Sequence, residues 1–397
     1  MGKLLQSLHL FLTIVLFRLK SSLHSFFFRR KQKKENHILF LTAFYPNNAG
    51  YHWRAKKWGE ELEKEGYTVT LLHALDEIEF KTLLEENLTK FLRLYLKRRY
   101  KQVLLSKSFD KVIVQRELLL YNDYGNLFLE KLLLKIHPDA ILDFDDDISA
   151  AKNQPKKITN LFGILMMENG NKFNESLKLY NRFTVASNYL KSRVLSENIE
   201  ISPDSVLVIP TCVDYDKYPR KIYNKSKKTF TLGWIGGTYN YHYLLKIIPH
   251  LNELSKTFSI KLHVISGDPF EIDTNFEIVF SRWSLDSEVK ELCNIDIGLM
   301  PLNESSIAKG KGGFKLIQYM GLGIVSIASS VTINREIVDN NINSFLVDGD
   351  NWGEILEKAL NQQENFDQIG KRAAEKIKLY YTFSGNRDQY INFINYS

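Results

Sequence analysis

Cysteine is nearly absent from these 397 residues: only Cys212 and Cys293 occur, far apart and without the spacing of metal ligands. That argues against a disulfide framework and a zinc site, and for a reducing compartment. The N-terminal apolar run "LLQSLHLFLTIVLF" (4–17) is 14 residues long and contains Gln6 and His9, short of the roughly 20 residues a spanning helix needs. No small-residue cleavage site follows it, so a removable signal peptide is a poor reading. There is no low-complexity tract and no short-period repeat, and prolines number nine. No G-x-G-x-x-G opens either half, which counts against a Rossmann dehydrogenase. Nor is there a recognisable nucleic-acid-binding motif, so nucleic acid is not an expected partner despite a net charge of +7.

What is present is a globular composition, 44% hydrophobic and 25% charged, on a chain too long for one ordinary core. The positive charge is blocked, in "RRKQKK" (29–34) and "RLYLKRRYKQVLLSK" (93–107). Such blocks suit an anionic membrane surface. Residues 1–35, greasy and then basic, read as an interfacial membrane-association segment; a docking or disordered tail is the plain alternative.

From residue 37 short apolar runs alternate with helix-like stretches: "HILFLTA", "YTVTLLHA", "DKVIVQ", "DAILDFD", "RFTVAS" and "SVLVIP" read as strands. After the polar stretch 209–228 the rhythm restarts with "FTLGWIGG", "IKLHVISG", "FEIVFS", "DIGLMPL", "GIVSIAS" and "SFLVDG". Alternation of this kind predicts parallel sheets covered by helices, hence an α/β chain of two doubly wound, Rossmann-like domains facing a cleft. The expected division is 1–35, then 36–215, then 216–380, with an amphipathic helix at 381–397 that can cross back to the first domain.

Four stretches carry candidate chemistry. "LGWIGGTYNYHYL" (232–244) joins a strand to a helix through Gly236 and Gly237, with Thr238 as a cap, so an anion could meet bare backbone there; a tight turn is the ordinary reading. "KGKGGFKLIQYM" (309–320) puts Lys311, Gly312 and Gly313 before a helix and Lys315 in its first turn, three residues from Gln318. Lysines there oppose the helix dipole, and a bound diphosphate reverses the sign. "ILDFDDDI" (141–148) sets Asp143, Asp145, Asp146 and Asp147 at a strand end: a capping loop, a carboxylate for an acceptor hydroxyl, or last a metal site. "NNAGYHWRAKKW" (47–58) offers Gly50 and Tyr51 at a helix mouth and Arg54 a turn later, as acceptor-side contacts or as helix surface.

On "LGWIGGT", "DIGLMPL", "GKGGFKLIQYMGLGIVSIASSVTINREIV" and "NSFLVDGDNWGEILEKAL", the chain resembles GT-B fold glycosyltransferases. More narrowly it is similar to the family 4 (group 1) type of bacterial cell-surface polysaccharide and lipopolysaccharide assembly. The resemblance covers about 230–380, and more loosely the first domain through "ILDFDDDI" and "ASNYL…VIPTCVDYDKY". It implies a nucleotide-diphosphate sugar held by the second domain, with Gly236, Gly237, Lys311 and Lys315 toward the phosphates and Gln318 toward a ribose hydroxyl. Trp283 would stand at the nucleobase rim or in the core. Lys311, Lys315 and Asp145 are the catalytic candidates, and Asp146 stands with Gly50, Tyr51 and Arg54 on the acceptor side. It implies transfer to a lipid-linked or glycan acceptor at the cytoplasmic membrane face, with retention, and no cofactor or metal beyond the donor. Two family features depart: the usual glutamates, eight apart, fall on Gly310 and Gln318, and Gly237 and Thr238 stand where an arginine is usual. Inactive descent into a binding protein, or an epimerase or phosphorylase on the same fold, are the competing expectations.

Overall fold

The computed structural model describes residues 2–26, 35–120, 127–149 and 170–396. The chain forms two compact units: the residues up to Pro210 together with those from Arg387, and Thr211–Asn386. The first is built on a six-stranded sheet in the order β2-β1-β3-β4-β5-β6, all pairs parallel. Its strands are β1 (His37–Thr42), β2 (Thr68–His73), β3 (Lys111–Gln115), β4 (Ile141–Phe144), β5 (Arg182–Val185) and β6 (Val206–Val208). Ile38–Leu41 and Val112–Gln115 are buried without a break, as strands covered on both faces must be.

Helices complete this unit. The apolar periodicity of 79–107 resolves into two helices, Glu77–Glu86 and Leu88–Leu105, split at Asn87, whose side chain caps the second. The N-terminal helix Gly2–Phe26 packs on Leu88–Leu105 and Phe128–Ile136. Leu10 and Ile14 enter the core, and the rings of Phe17 and Tyr100 meet edge to face at 4.9 Å. The last residues also belong here: Tyr390 lies 4.3 Å from the Trp58 ring, and Arg387 pairs with Glu61 and Glu65.

The second unit has the order β12-β11-β10-β7-β8-β9, again parallel throughout. Its strands are β7 (Thr229–Ile235), β8 (Ser259–Ser266), β9 (Glu277–Arg282), β10 (Ile297–Met300), β11 (Val325–Ser329) and β12 (Phe345–Val347). The chain winds outward from β7 to β9, then returns to β10 on the other side of β7. The switch point is therefore between β7 and β10, where ligands of open α/β sheets bind at the carboxyl ends. "GG" at 236–237 leaves β7 at that point, and β10 leads into the lysine-glycine stretch.

One buried tyrosine fixes the geometry. Tyr319, on the helix Phe314–Gly321, accepts a hydrogen bond from the Ile235 N–H at 3.0 Å. Its ring occupies the space over Gly298 of β10, where an added Cβ would lie 2.5 Å from a ring carbon. Helix, β7 and β10 are thereby locked together. Tyr319→Phe leaves that amide without its partner and should cost about 1–3 kcal/mol; an unshifted denaturant midpoint would show that the hydroxyl is dispensable.

Candidate functional site

In the second unit the structure brings together two stretches that lie far apart in sequence. A Cβ at Gly236 would come within 2.6 Å of Lys315 Nζ and 2.4 Å of the Trp234 ring. The ammonium thus rests against the bare end of β7, 4.8 Å from the Trp234 ring centroid. Gly313, which precedes the helix, has a left-handed backbone at φ +69° and a Cβ there would strike Ile337 at 2.6 Å, so only glycine fits. Gly312 is buried beside it, and Lys311 is half-buried with its N–H donated to Ala308 O at 3.3 Å.

The glycine turn works differently from the expectation. Gly236 N–H donates to Ile265 O at 3.0 Å and its carbonyl accepts from Ser266 Oγ at 2.6 Å, so its backbone is committed to the end of β8. What Gly236 contributes is room. Among the described residues no hydrogen bond engages the N–H groups of Gly237, Thr238 or Tyr239, which open the 3₁₀ turn Thr238–Asn240. Those amides, and the exposed Thr238, are the groups at this turn that an anion could meet.

Gln318 requires a correction. It is 1% exposed, and its amide Nε2 donates to Glu288 Oε1 at 2.5 Å instead of facing outward. Trp283 Nε1 donates to the other oxygen, Oε2, at 2.6 Å. Half-buried Trp283 and Gln318, proposed from sequence for separate roles, are joined by one carboxylate that sequence reasoning missed. Burial pushes the Glu288 carboxyl up to about 7, against the two donors that favour its ionised form. Tyr218, buried close by, is raised by its own burial and then by Glu288, with Gln318 opposing. The only hint in the sequence was a neutral glutamine where the family has an acid.

In the first unit Arg54 also requires a correction. It is 1% exposed and belongs to the scaffold, not to an acceptor surface. Nε and Nη2 grip both Asp143 oxygens, the first at 3.2 Å, and Nη1 donates to Ile209 O at 2.6 Å. Thr184 Oγ1 adds a bond to Asp143 at 2.7 Å. One ion pair so ties the Tyr51–Lys56 turn to β4, β5 and the end of β6. Gly50 is likewise occupied: its N–H donates to Asn48 Oδ1 at 2.9 Å and its carbonyl accepts from Gln115 Nε2 at 2.7 Å. Tyr51 is buried, and burial raises its phenol.

The carboxylates after β4 divide by surroundings. Asp147 is buried, accepts from Ser149 N–H at 3.0 Å and faces Arg193 at 3.5 Å, a loop-capping role. Asp146 is exposed. Asp145 is half-buried, and burial, then Asp146, push its carboxyl up against the pull of Arg54 and Arg116. Arg116 was not anticipated: it follows β3 with φ +67°, a strained conformation for a non-glycine residue, its N–H on Asp143 O at 2.7 Å. Among the described residues no group of three or more His, Cys, Asp or Glu could hold a metal ion.

Two doubly wound parallel sheets with flanking helices define the GT-B class. Residues 229–365 match the family described as Glycosyl transferases group 1. Among solved structures, sucrose-phosphate synthase from Thermosynechococcus elongatus is 10% identical with a TM-score of 0.66, over 90% of this chain and 98% of that one. Anabaena HepE in complex with UDP and glucose is 12% identical, TM-score 0.61, over 90% and 98%. The lipopolysaccharide outer core galactosyltransferase WaaB is 14% identical, TM-score 0.57, over 90% and 99%. A comparison with curated protein sequences gave no match. The structural likenesses establish the fold alone, and the enzyme class, a glycosyltransferase, rests on the family match over residues 229–365.

Two stability predictions follow from these buried groups. Arg54→Leu strands Asp143 without its cation and should cost about 3–5 kcal/mol, with Asp143→Asn in the same chain recovering part of it; equal stability of wild type and Arg54→Leu in urea would remove the pair from the scaffold. For Glu288, the native carboxyl keeps its proton to about 7 while the unfolded one loses it near 4.5. The unfolded state therefore binds fewer protons between those values, and stability falls by about 3 kcal/mol as pH rises through them. Glu288→Gln, whose amide can pair with a flipped Gln318, should flatten this slope in thermal melts; an unchanged slope would place the titration elsewhere.

Proposed function

We propose that this glycosyltransferase moves a sugar from a nucleotide-diphosphate donor to a lipid-linked or polysaccharide acceptor in cell-surface glycan assembly, with retention of anomeric configuration. The observation that carries the donor part is the Lys315 ammonium lying against Gly236 at the switch point. Cleavage of the bond between the anomeric carbon and the β-phosphate oxygen leaves charge on the departing diphosphate. Lys315, Lys311 and the amides of Gly237 and Thr238 offset that charge, and the acceptor oxygen forms the new bond while its proton leaves. Without a side chain at Gly236 the diphosphate can approach both backbone and ammonium. This supply of fixed positive charge lets the reaction proceed without a metal. On the acceptor side we assign Asp145 to the hydroxyl proton: it is half-buried and its carboxyl is raised by burial, which suits a base near neutral pH.

The UDP held by the Anabaena structure and the lipopolysaccharide substrate class in the WaaB name favour, by fold analogy alone, a nucleotide sugar and a surface glycan. The alternative of a sugar-binding protein without turnover draws on the neutral Gln318.

The test is turnover of a panel of nucleotide sugars with lipid-linked acceptors, following release of the nucleoside diphosphate. Lys315→Ala should lower kcat by about 10²–10³-fold with a smaller change in KM, since the charge it offsets develops in the transition state. Unchanged turnover removes Lys315 from the chemistry, and donor binding by calorimetry without any transfer favours the binding-protein reading.

A further inference from the structure

We infer that the outward face of the N-terminal helix is a docking surface for an anionic lipid bilayer, with the helix lying along the interface. This does not rest on the donor or acceptor assignments above.

The helix Gly2–Phe26 is apolar on two opposite sides. Its inner side is used by the protein: Leu10 and Ile14 enter the core, and Ser21 Oγ donates to Phe128 O at 3.3 Å. Its outer side carries Leu8, Phe11, Leu12, Leu16, Leu19 and Leu23, from 40% exposed at Phe11 to 60% at Leu19. At about 100° per residue, Leu8, Leu12, Leu19 and Leu23 fall in one stripe within about 60°. A continuous row of bare leucines opposite a packed face is not ordinary surface.

The surrounding charge selects the occupant. The helix contains no acidic residue, and exposed Lys20 stands at the edge of the stripe with its ammonium 5.6 Å from the Phe17 ring. Lys97 and Lys101, one turn apart, are exposed on the helix whose Tyr100 supports Phe17. Leucines edged by Lys20, on a unit whose adjoining helix exposes further lysines, match acyl chains beneath anionic head groups. A second copy of this face would set like charges against one another. No described helix is long and apolar enough to cross a membrane, and with the inner side packed in the core a flat seating is the one that would put the leucine stripe in lipid. Because its inner face is core, this is a rigid foot of the first unit and not a removable tail.

The test uses the full chain and vesicles of equal parts phosphatidylcholine and phosphatidylglycerol. Wild type should co-sediment with them, and about tenfold less with phosphatidylcholine alone. The combined Leu12→Ser, Leu19→Ser and Leu23→Ser variant should lose binding at least about tenfold at a nearly unchanged melting temperature, since these side chains are more than half exposed and outside the core. Should that variant fold poorly, Leu19→Trp decides: its emission should shift to the blue with anionic vesicles and be quenched by brominated lipid. The inference is overturned if wild type stays in the supernatant or the Trp emission ignores vesicles. It is equally overturned if the protein is a lipid-independent dimer that the serine substitutions convert to monomers, which would make a second copy the occupant.

Discussion

An ammonium group can lie against the end of a strand only where the strand has no side chain to offer. That constraint at Gly236 organises the second unit. Lys315 sits in the first turn of its helix, where a cation opposes the dipole by about 0.3–1 kcal/mol, and the face of Trp234 offsets part of that cost. Gly313 supplies the left-handed step that aims the helix, and Tyr319 holds it to β7 and β10. Ile265 and Ser266 immobilise the Gly236 backbone. Each of these contacts helps to fix the position of one positive charge, as the proposed electrostatic role of Lys315 requires.

The first unit solves a different problem. Its strand ends meet around a buried arginine–carboxylate pair, which sets relative positions without adding much net stability. Arg54 gathers Asp143 and Ile209, Thr184 completes the carboxylate, and the neighbouring Asp145 is left half-buried with a raised carboxyl. Scaffold and candidate chemistry lie two residues apart in one short run, "DFDDD", and their surroundings set them apart.

The alternation of strands and helices was legible because doubly buried strands write continuous apolar runs, and the two glycine-bearing turns were legible because turns have few substitutes for glycine. Their convergence on one switch point was not, since strand order is absent from a linear text. Arg54 and Gln318 misled for one physical reason: a polar side chain looks the same in sequence whether it meets ligand or a buried partner thirty or ninety residues away. Glu288 was invisible on the same grounds, its two donors lying on a different strand end and a different helix. Arg116 carries its signal in a backbone angle, which no residue type announces. The greasy and basic N-terminus was legible as composition, whereas its two-sidedness needed the packing of Tyr100 and Phe128.

The first unit is interrupted in the chain by the whole of Thr211–Asn386. Trp58 waits for Tyr390, Glu61 and Glu65 wait for Arg387, and Arg182 waits for the Phe393 carbonyl. On a ribosome moving at about 5–20 residues per second, roughly ten to thirty-five seconds separate the two parts. During that interval the second unit's sheet has every strand it needs, while the earlier-made unit still lacks its closing segment. Order of synthesis and order of completion are therefore reversed, and the nascent first unit depends on shielding of its Trp58 surface until the final turn of chain arrives.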